Sequence, residues 1–413
     1  MGISNIKHIM YYLSSRTKYK YATYEGPGTM KIESISVDVI RYETKLARDS
    51  AGHAHAGKPS EAQIAVLSVT AEDGAKGYAF APKELIRPYI VEQYFKKAVI
   101  GKPVHARELI WQDLWLRQRG SGAQLTDRAM AILDQALWDL AGRQLNVPVY
   151  QLLGGARNKV KAYASTMCGD ETKGGLSTPE EYAQFAETLV ERGYQGIKLH
   201  TWMPPVSFAP SVKMDIRACE AVREAVGPNI ALMLDGYHWY NRLDALKIGR
   251  ALSRLDFAWF EEPMPEDSME SYRWLTQQVD VPVIGPETIG GKHQSRASWV
   301  QHNACDILRA GVANGGGITP CLKAAHLAEA FGMDCEIHGN GAANLSVVGA
   351  ITNCQWYERG LLHPHMDYDE APAYLNVIAD EMDAEGYVHL SDRPGLGESI
   401  NFDYIKNNTL ESY

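Results

Sequence analysis

Three acidic residues recur at an even interval in the second half of the chain. Asp235 closes ALMLD, Glu261 closes FAWFE and Glu287 closes PVIGPE, 26 residues apart each time. Each ends an apolar, β-type run. If those runs are neighbouring parallel strands, three carboxylates share one rim, where they repel one another and raise each other's pKa. A hard divalent cation removes that cost, and an oxygen-only donor set selects Mg²⁺, with Mn²⁺ as the alternative. Three unrelated salt-bridged carboxylates are the plainer reading; the matched strand position and spacing weigh against it. Glu262 adjoins Glu261 and is expected to point the opposite way in a strand.

Basic groups frame the same rim. Lys198 and His200 lie two apart in GIKLH and share a face. A lysine aimed into a core is expensive unless it serves an ion or a substrate. His338 ends CEIH, and Glu358 in WYERG ends a further run, where it is placed to give or take a proton. The set suits one chemistry. A metal binds a substrate carboxylate, a base removes the proton α to it, and the cation with a nearby ammonium stabilises the enediolate. Bases on opposite faces allow abstraction on one side and proton delivery on the other.

The elements that must position these residues are legible. MKIESISVDVIRY (30–42) and AQIAVLSVTAE (62–72) alternate as half-buried strands, 46–60 reads as a loop, and 84–95 reads as helical. A strong helix starts at Thr126 as N-cap with Asp127 in its first turn, and is expected to stop near Gly142. From about residue 159 eight β-rich runs alternate with helical segments: Val160–Ser165, Gly196–His200, Ala231–Tyr237, Ala258–Glu262, Val283–Glu287, Asp306–Val312, Asp334–His338 and Cys354–Glu358. One linking helix carries Thr178 as N-cap, Pro179 at its first position, Glu181 to complete a capping box and Gly193 at its end. Eight such units predict a parallel α/β barrel. An open doubly wound sheet ranks second, because no G-x-G-x-x-G follows any strand. The expected divisions are an extension at 1–29, an α+β domain at 30–150, the barrel at 151–370, and a segment at 371–413 that returns to the α+β domain.

Composition sets the outer bounds. The 413 residues are 45% hydrophobic and 22% charged, ordinary for a soluble globular protein. The net charge of −9, with no basic run, argues against a nucleic-acid partner. No apolar stretch near the N-terminus is long enough for a signal or a membrane span. Six cysteines without a C-x-x-C pair fit small buried hydrophobes in a reducing, cytoplasmic compartment.

With these residues in place, the chain resembles the enolase superfamily, specifically its mandelate racemase subgroup. The resemblance covers about 30–375 and is densest at 126–155, including ALWDLAGRQLNVPVYQLLGG, and at 196–340. It implies an α+β capping domain over a modified (β/α)₇β barrel, Mg²⁺ dependence, a homo-oligomer and α-proton abstraction from a carboxylate. It implies Asp235, Glu261 and Glu287 as metal ligands, Lys198 and His200 as the K-x-K pair with histidine second, His338 as the seventh-strand histidine, and Glu358 as the eighth-strand glutamate. Specificity in this family comes from capping-domain loops, which points to His53 and His55 in RDSAGHAHAG; a solvated loop is the equal alternative. Tyr237, two past Asp235, is expected to line the pocket, and His238 to face away unless the strand has ended.

Two departures shape the functional expectation. The family pairs the seventh-strand histidine with an Asp on strand six; here 306–319 read DILRAGVANGGGIT, with Gly311 at that position. Asp306, five residues earlier, has the wrong parity. His338 therefore lacks its carboxylate and must have its tautomer set otherwise. Arg309 shares the parity of Gly311 and is expected to contact substrate or a metal carboxylate, or to brace the barrel. The second departure, His200, is cast as the base, with Lys198 assisting the carboxylate and His338 as the acid that protonates a leaving hydroxide. That asymmetry favours dehydration of an acid sugar to a 2-keto-3-deoxy acid. The alternatives are a racemase, epimerase or lactone cycloisomerase, and, from a different class, a retired barrel that only binds metal and ligand.

Overall fold

The computed structural model describes residues 30–413 except Ala51; the expected extension at 1–29 lies outside the described residues. Two sheets organise the chain. The first is antiparallel, in the order β13-β1-β2-β3, from β1 (Ile32–Arg48), β2 (Ala54–Ala71), β3 (Lys76–Ala81) and β13 (Thr409–Ser412). β13 pairs with β1 through Asp38↔Ser412, so the C-terminal segment completes the capping domain. Helix α2 (Asp127–Leu145) lies on β2 and β3 of this sheet, and α1 (Arg107–Gln118) packs against α2. A Cβ at Gly77 on β3 would collide with the Ala136 carbonyl and the Leu140 backbone, which is why a glycine lets α2 lie so close.

The second sheet curls into a nearly closed parallel barrel, ordered β10-β9-β8-β7-β6-β5-β4-β11. Its strands are β4 (Lys159–Thr166), β5 (Gly196–His200), β6 (Ala231–Asp235), β7 (Phe257–Glu261), β8 (Val283–Gly285), β9 (Ile307–Ala310), β10 (Cys335–Ile337) and β11 (Trp356–Leu362). Tyr163, Met233, Trp259 and Ile284 fill the interior of the barrel, while a larger apolar cluster lies between its strands and the surrounding helices. All six cysteines are buried and none is in a disulfide. Among the described residues no helix is long and apolar enough to cross a membrane.

The local signals act as their chemistry requires, with some corrections. Thr126 Oγ1 accepts from Ala129 N (3.1 Å) and starts α2, but the helix runs past Gly142 to Leu145 and ends on left-handed Asn146. Thr178 Oγ1 accepts from Glu181 N (3.1 Å) to start α3 (Pro179–Glu191). Glu181 does not close the box onto Thr178; its carboxylate takes the N–H groups of Ser177 (3.0 Å) and Gly174 (2.7 Å). The stretch 84–95 mixes 3₁₀, α and π turns. Residues 46–60 are not a loop. β1 and β2 continue through them as a hairpin (Thr44↔Ser60, Ala47↔His55), β1 ending at Arg48 and β2 beginning at Ala54. Much of this ribbon projects from the core, so its polar composition hid the pairing. A short strand, β12 (Tyr387–His389), adds antiparallel to β4.

Candidate active site

The C-terminal ends of the barrel strands open into a cavity of about 780 Å³. Of the sequence-predicted residues, Lys198, His200, Asp235, Tyr237, Glu287, His338 and Glu358 line it. Glu261 and Arg309 belong to the same cluster but are fully buried and do not line the cavity. His53 and His55 do not line it, although Ala54 between them does. Asp49 Oδ2 holds His53 Nδ1 at 3.0 Å and His55 Nε2 at 2.8 Å. The His53 ring meets Tyr237 edge-on at 4.6 Å, and Tyr237 meets His200 at 5.6 Å.

Lys198 is the hub of the charge network. Its ammonium lies 3.0 Å from Glu261, 3.0 Å from Glu358 and 3.3 Å from Asp235. Against the desolvation of burial, Glu261 and Glu358 hold its pKa well above the usual lysine range, so it stays an ammonium. Glu358 is held well below the usual carboxylate range: burial opposes this, and Lys198 and Arg309 outweigh it. It also accepts from Gly339 N at 2.7 Å. Lys198 and Arg309 thus favour the ionised form of Glu358. Arg309 braces the floor, 2.8 Å from Glu261, 2.8 Å from Glu358 and 3.5 Å from Glu287.

The two histidines differ. His200 Nδ1 lies 2.7 Å from the Thr166 carbonyl, which can only accept. Nδ1 therefore carries the hydrogen, and Nε2, 3.0 Å from Asp235 Oδ2, is the atom free to gain or lose a proton. His338 Nε2 lies 3.0 Å from Glu287 Oε1. A Cβ built at Gly311 would stand 3.6 Å from His338 Nδ1, so a carboxylate there is what Gly311 removes. Burial pulls the His338 pKa down to about 4, with Glu358 opposing.

The strand-end carboxylates do not close around one point, because Lys198 and Arg309 stand among them. Among the described residues, the His/Asp/Glu group whose ligating atoms all fall within 4.8 Å of one another is Asp49, His53 and His55. Yet the donor set fits a cation. Glu261 Oε1, Glu262 Oε1 and Glu287 Oε2 are buried and accept no well-directed hydrogen bond, although Arg309 lies 2.8 Å from the first, His238 2.8 Å from the second and Arg309 3.5 Å from the third. Burial, Glu261 and Asp235 push Glu287 well above the usual carboxylate range, and burial, Glu287 and Asp235 do the same to Glu262. These are oxygens that a divalent ion would satisfy.

Sequence reasoning missed several residues here. β6 and β7 end at Asp235 and Glu261, and the next turns place Tyr237 (φ 51), His238 (φ 67) and Glu262 (φ 42) in the left-handed region. Glu262 therefore turns into the cavity wall rather than away, and His238 joins it at 2.8 Å. Pro263, which cannot extend a ladder, was the available signal. Glu266 grips the loop that carries Glu287, accepting from Glu287 N, Thr288 N (2.8 Å), Thr288 Oγ1 (3.0 Å) and Ile289 N (2.8 Å). Arg48 and Arg128 line the cavity from the capping domain.

Comparison with known proteins agrees with this architecture. Residues 36–154 match the family described as mandelate racemase / muconate lactonizing enzyme, N-terminal domain, and residues 181–404 match the one described as enolase C-terminal domain-like. A D-galactonate dehydratase family member of Pseudarthrobacter chlorophenolicus is 28% identical over 379 residues, 81% of this chain and 89% of that protein. The D-galactarolactone cycloisomerase of Agrobacterium fabrum is 30% identical over 354 residues, 82% and 89% of the two chains. The crystal structure of D-glucarate dehydratase from Agrobacterium tumefaciens complexed with magnesium is 58% identical, with a TM-score of 0.92, covering 93% of this chain and all of that one.

Proposed function

Because the chain belongs to the mandelate racemase / muconate lactonizing enzyme family of the enolase superfamily, we propose that it is a Mg²⁺-dependent acid-sugar dehydratase. The observation that carries this reading is the unlike pair of histidines on one cavity: Nδ1 of His200 is locked to the Thr166 carbonyl, while Gly311 leaves Nδ1 of His338 without the strand-six carboxylate, its Nε2 lying 3.0 Å from Glu287. A racemase needs competent bases on both faces, whereas an elimination needs a base on one and an acid on the other. The dehydratases among the similar proteins support the same side.

Asp235, Glu261 and Glu287 would hold the cation, with Glu262 a further oxygen beside them. The cation would supply Lewis-acid stabilisation of the substrate carboxylate. Lys198, held as an ammonium, adds a fixed positive charge where the enediolate forms. His200 Nε2 takes the α-proton. The electron pair then expels the β-hydroxide, and His338 gives it a proton to leave as water. The enol that remains tautomerises to the 2-keto-3-deoxy acid. Burial holds His338 near a pKa of about 4, so its role as acid requires the acid sugar's negative charge to act with Glu358 in raising it.

The test is incubation with Mg²⁺ and a panel of acid sugars, with keto acid detected as its semicarbazone. Keto acid from one of them is the expected result. Solvent deuterium entering the α-carbon with no keto acid would overturn dehydration and favour epimerisation; a lactone converted without keto acid would favour cycloisomerisation, as in the Agrobacterium fabrum relative.

A further inference from the structure

The capping side of the cavity carries two cations that this chemistry leaves unused. Arg48 ends β1 and Arg128 lies in the first turn of α2, and both line the same cavity as Lys198, His200 and His338. Neither forms an ion pair with a carboxylate among the described residues. Arg48 donates to the Gly52 carbonyl at 2.8 Å, which pins the guanidinium across the β1–β2 turn and leaves further N–H groups open. A cation at the position of Arg128 is unfavourable for the helix, because the first turn carries the positive end of the macrodipole. The adjacent carboxylate, Asp127, does not compensate it: Lys292 takes that group at 2.5 Å. The guanidinium and the helix terminus thus add their fields at the same place, and both favour an anion.

The cavity therefore has two ends for negative charge. At the barrel end the metal-binding carboxylates and Lys198 serve the reacting carboxylate. At the capping end two guanidinium groups, each able to bind a carboxylate through paired N–H donors, have no carboxylate partner among the described residues. We infer that Arg48 and Arg128 form a second carboxylate subsite, and that the acid sugar is a dicarboxylic one, ionised at both ends. This rests on the acid-sugar reading above and narrows it. The volume of about 780 Å³ suits a small molecule that reaches both walls. Asn314 and Asn340 line the same space and offer amide donors and acceptors to the hydroxyls.

The experiment compares diacids with the matching monoacids, such as galactarate with galactonate, in the Mg²⁺-loaded wild type, R48M and R128M. Methionine keeps the length of the side chain and removes the charge, and both positions are exposed, so folding is not at stake. The ratio of kcat/KM for diacid to that for monoacid is expected to fall by about tenfold or more in each variant, the loss of a charge-assisted hydrogen bond. An unchanged ratio in both variants overturns the subsite and leaves two solvated surface arginines. If the wild type dehydrates no acid sugar, the reaction assignment fails, and calorimetry with the same compounds then judges the subsite alone. Tighter binding of galactarate than galactonate, lost in R128M, upholds it; equal binding overturns it.

Discussion

Replacing His200 by Asn separates proton transfer from architecture. The Asn side-chain amide can still donate to the Thr166 carbonyl, now bonded to His200 Nδ1 at 2.7 Å. What disappears is Nε2, the atom assigned to the α-proton. Loss of a general base costs about 10²–10⁴ in rate, which is about 3–5 kcal/mol in the barrel's transition state at ~1.4 kcal/mol per tenfold. Stability should change far less, because the retained hydrogen bond keeps the side chain in place; the main loss is the 3.0 Å pairing of Nε2 with Asp235. The assay is NMR of the substrate α-hydrogen in D₂O with Mg²⁺, beside keto-acid formation and a thermal melt. H200N should show both deuterium exchange and turnover reduced by about a hundredfold or more, with its melt close to wild type. Exchange within about threefold of wild type, well inside that range, would show that another group removes the proton and would refute the tautomer argument.

Two further outcomes follow from buried carboxylates outside the reacting set. Glu266 binds no metal in this scheme but accepts three backbone N–H groups around Glu287; E266Q should weaken Mg²⁺ affinity by roughly 10–100-fold, as for other groups that orient a ligand, and titration calorimetry checks it. Asp215 accepts from Tyr240 at 2.9 Å and is pushed by burial from its ordinary 3.8 up to about 7. Between those two pH values the folded state keeps a proton that the unfolded state has released, so wild-type stability falls as pH rises from about 4 to about 7 and the penalty is complete above it. At ~1.4 kcal/mol per pH unit this is on the order of 4 kcal/mol. D215N carries no charge there, so its melting temperature should gain on wild type across that window and then run parallel; a constant difference from pH 4 to 8 would refute the assignment.

The sequence by itself determined the barrel, its order of strands and the identity of most of the cluster. That follows from two strictly local facts: alternation with period two assigns each strand residue a face, and a run repeated with helical spacers can close only as parallel units. Lys198, His200, Asp235 and Glu261 are readable for this reason, each lying inside a strand or on its last residue. Parity stops being informative where the ladder stops. Glu262 was expected to face away and instead turns into the wall, because the backbone leaves the strand through a left-handed conformation that alternation cannot anticipate. Residues 46–60 read as a loop because their burial, the usual source of pattern, is mostly absent; the pairing with the opposite strand decided their conformation. Contacts across elements were likewise beyond the sequence. Parity turns Arg309 inward toward the carboxylates, but nothing local shows that Glu358 is held ionised by it and by Lys198, or that Asp49 engages both His53 and His55. Arg48 and Arg128, 80 positions apart, come to one cavity only because the capping domain sits over the barrel mouth, secured there by bonds such as Trp111 to Gly316 and Thr319 to Asp134. Charge placement of that kind is set by packing between domains, which no periodicity encodes.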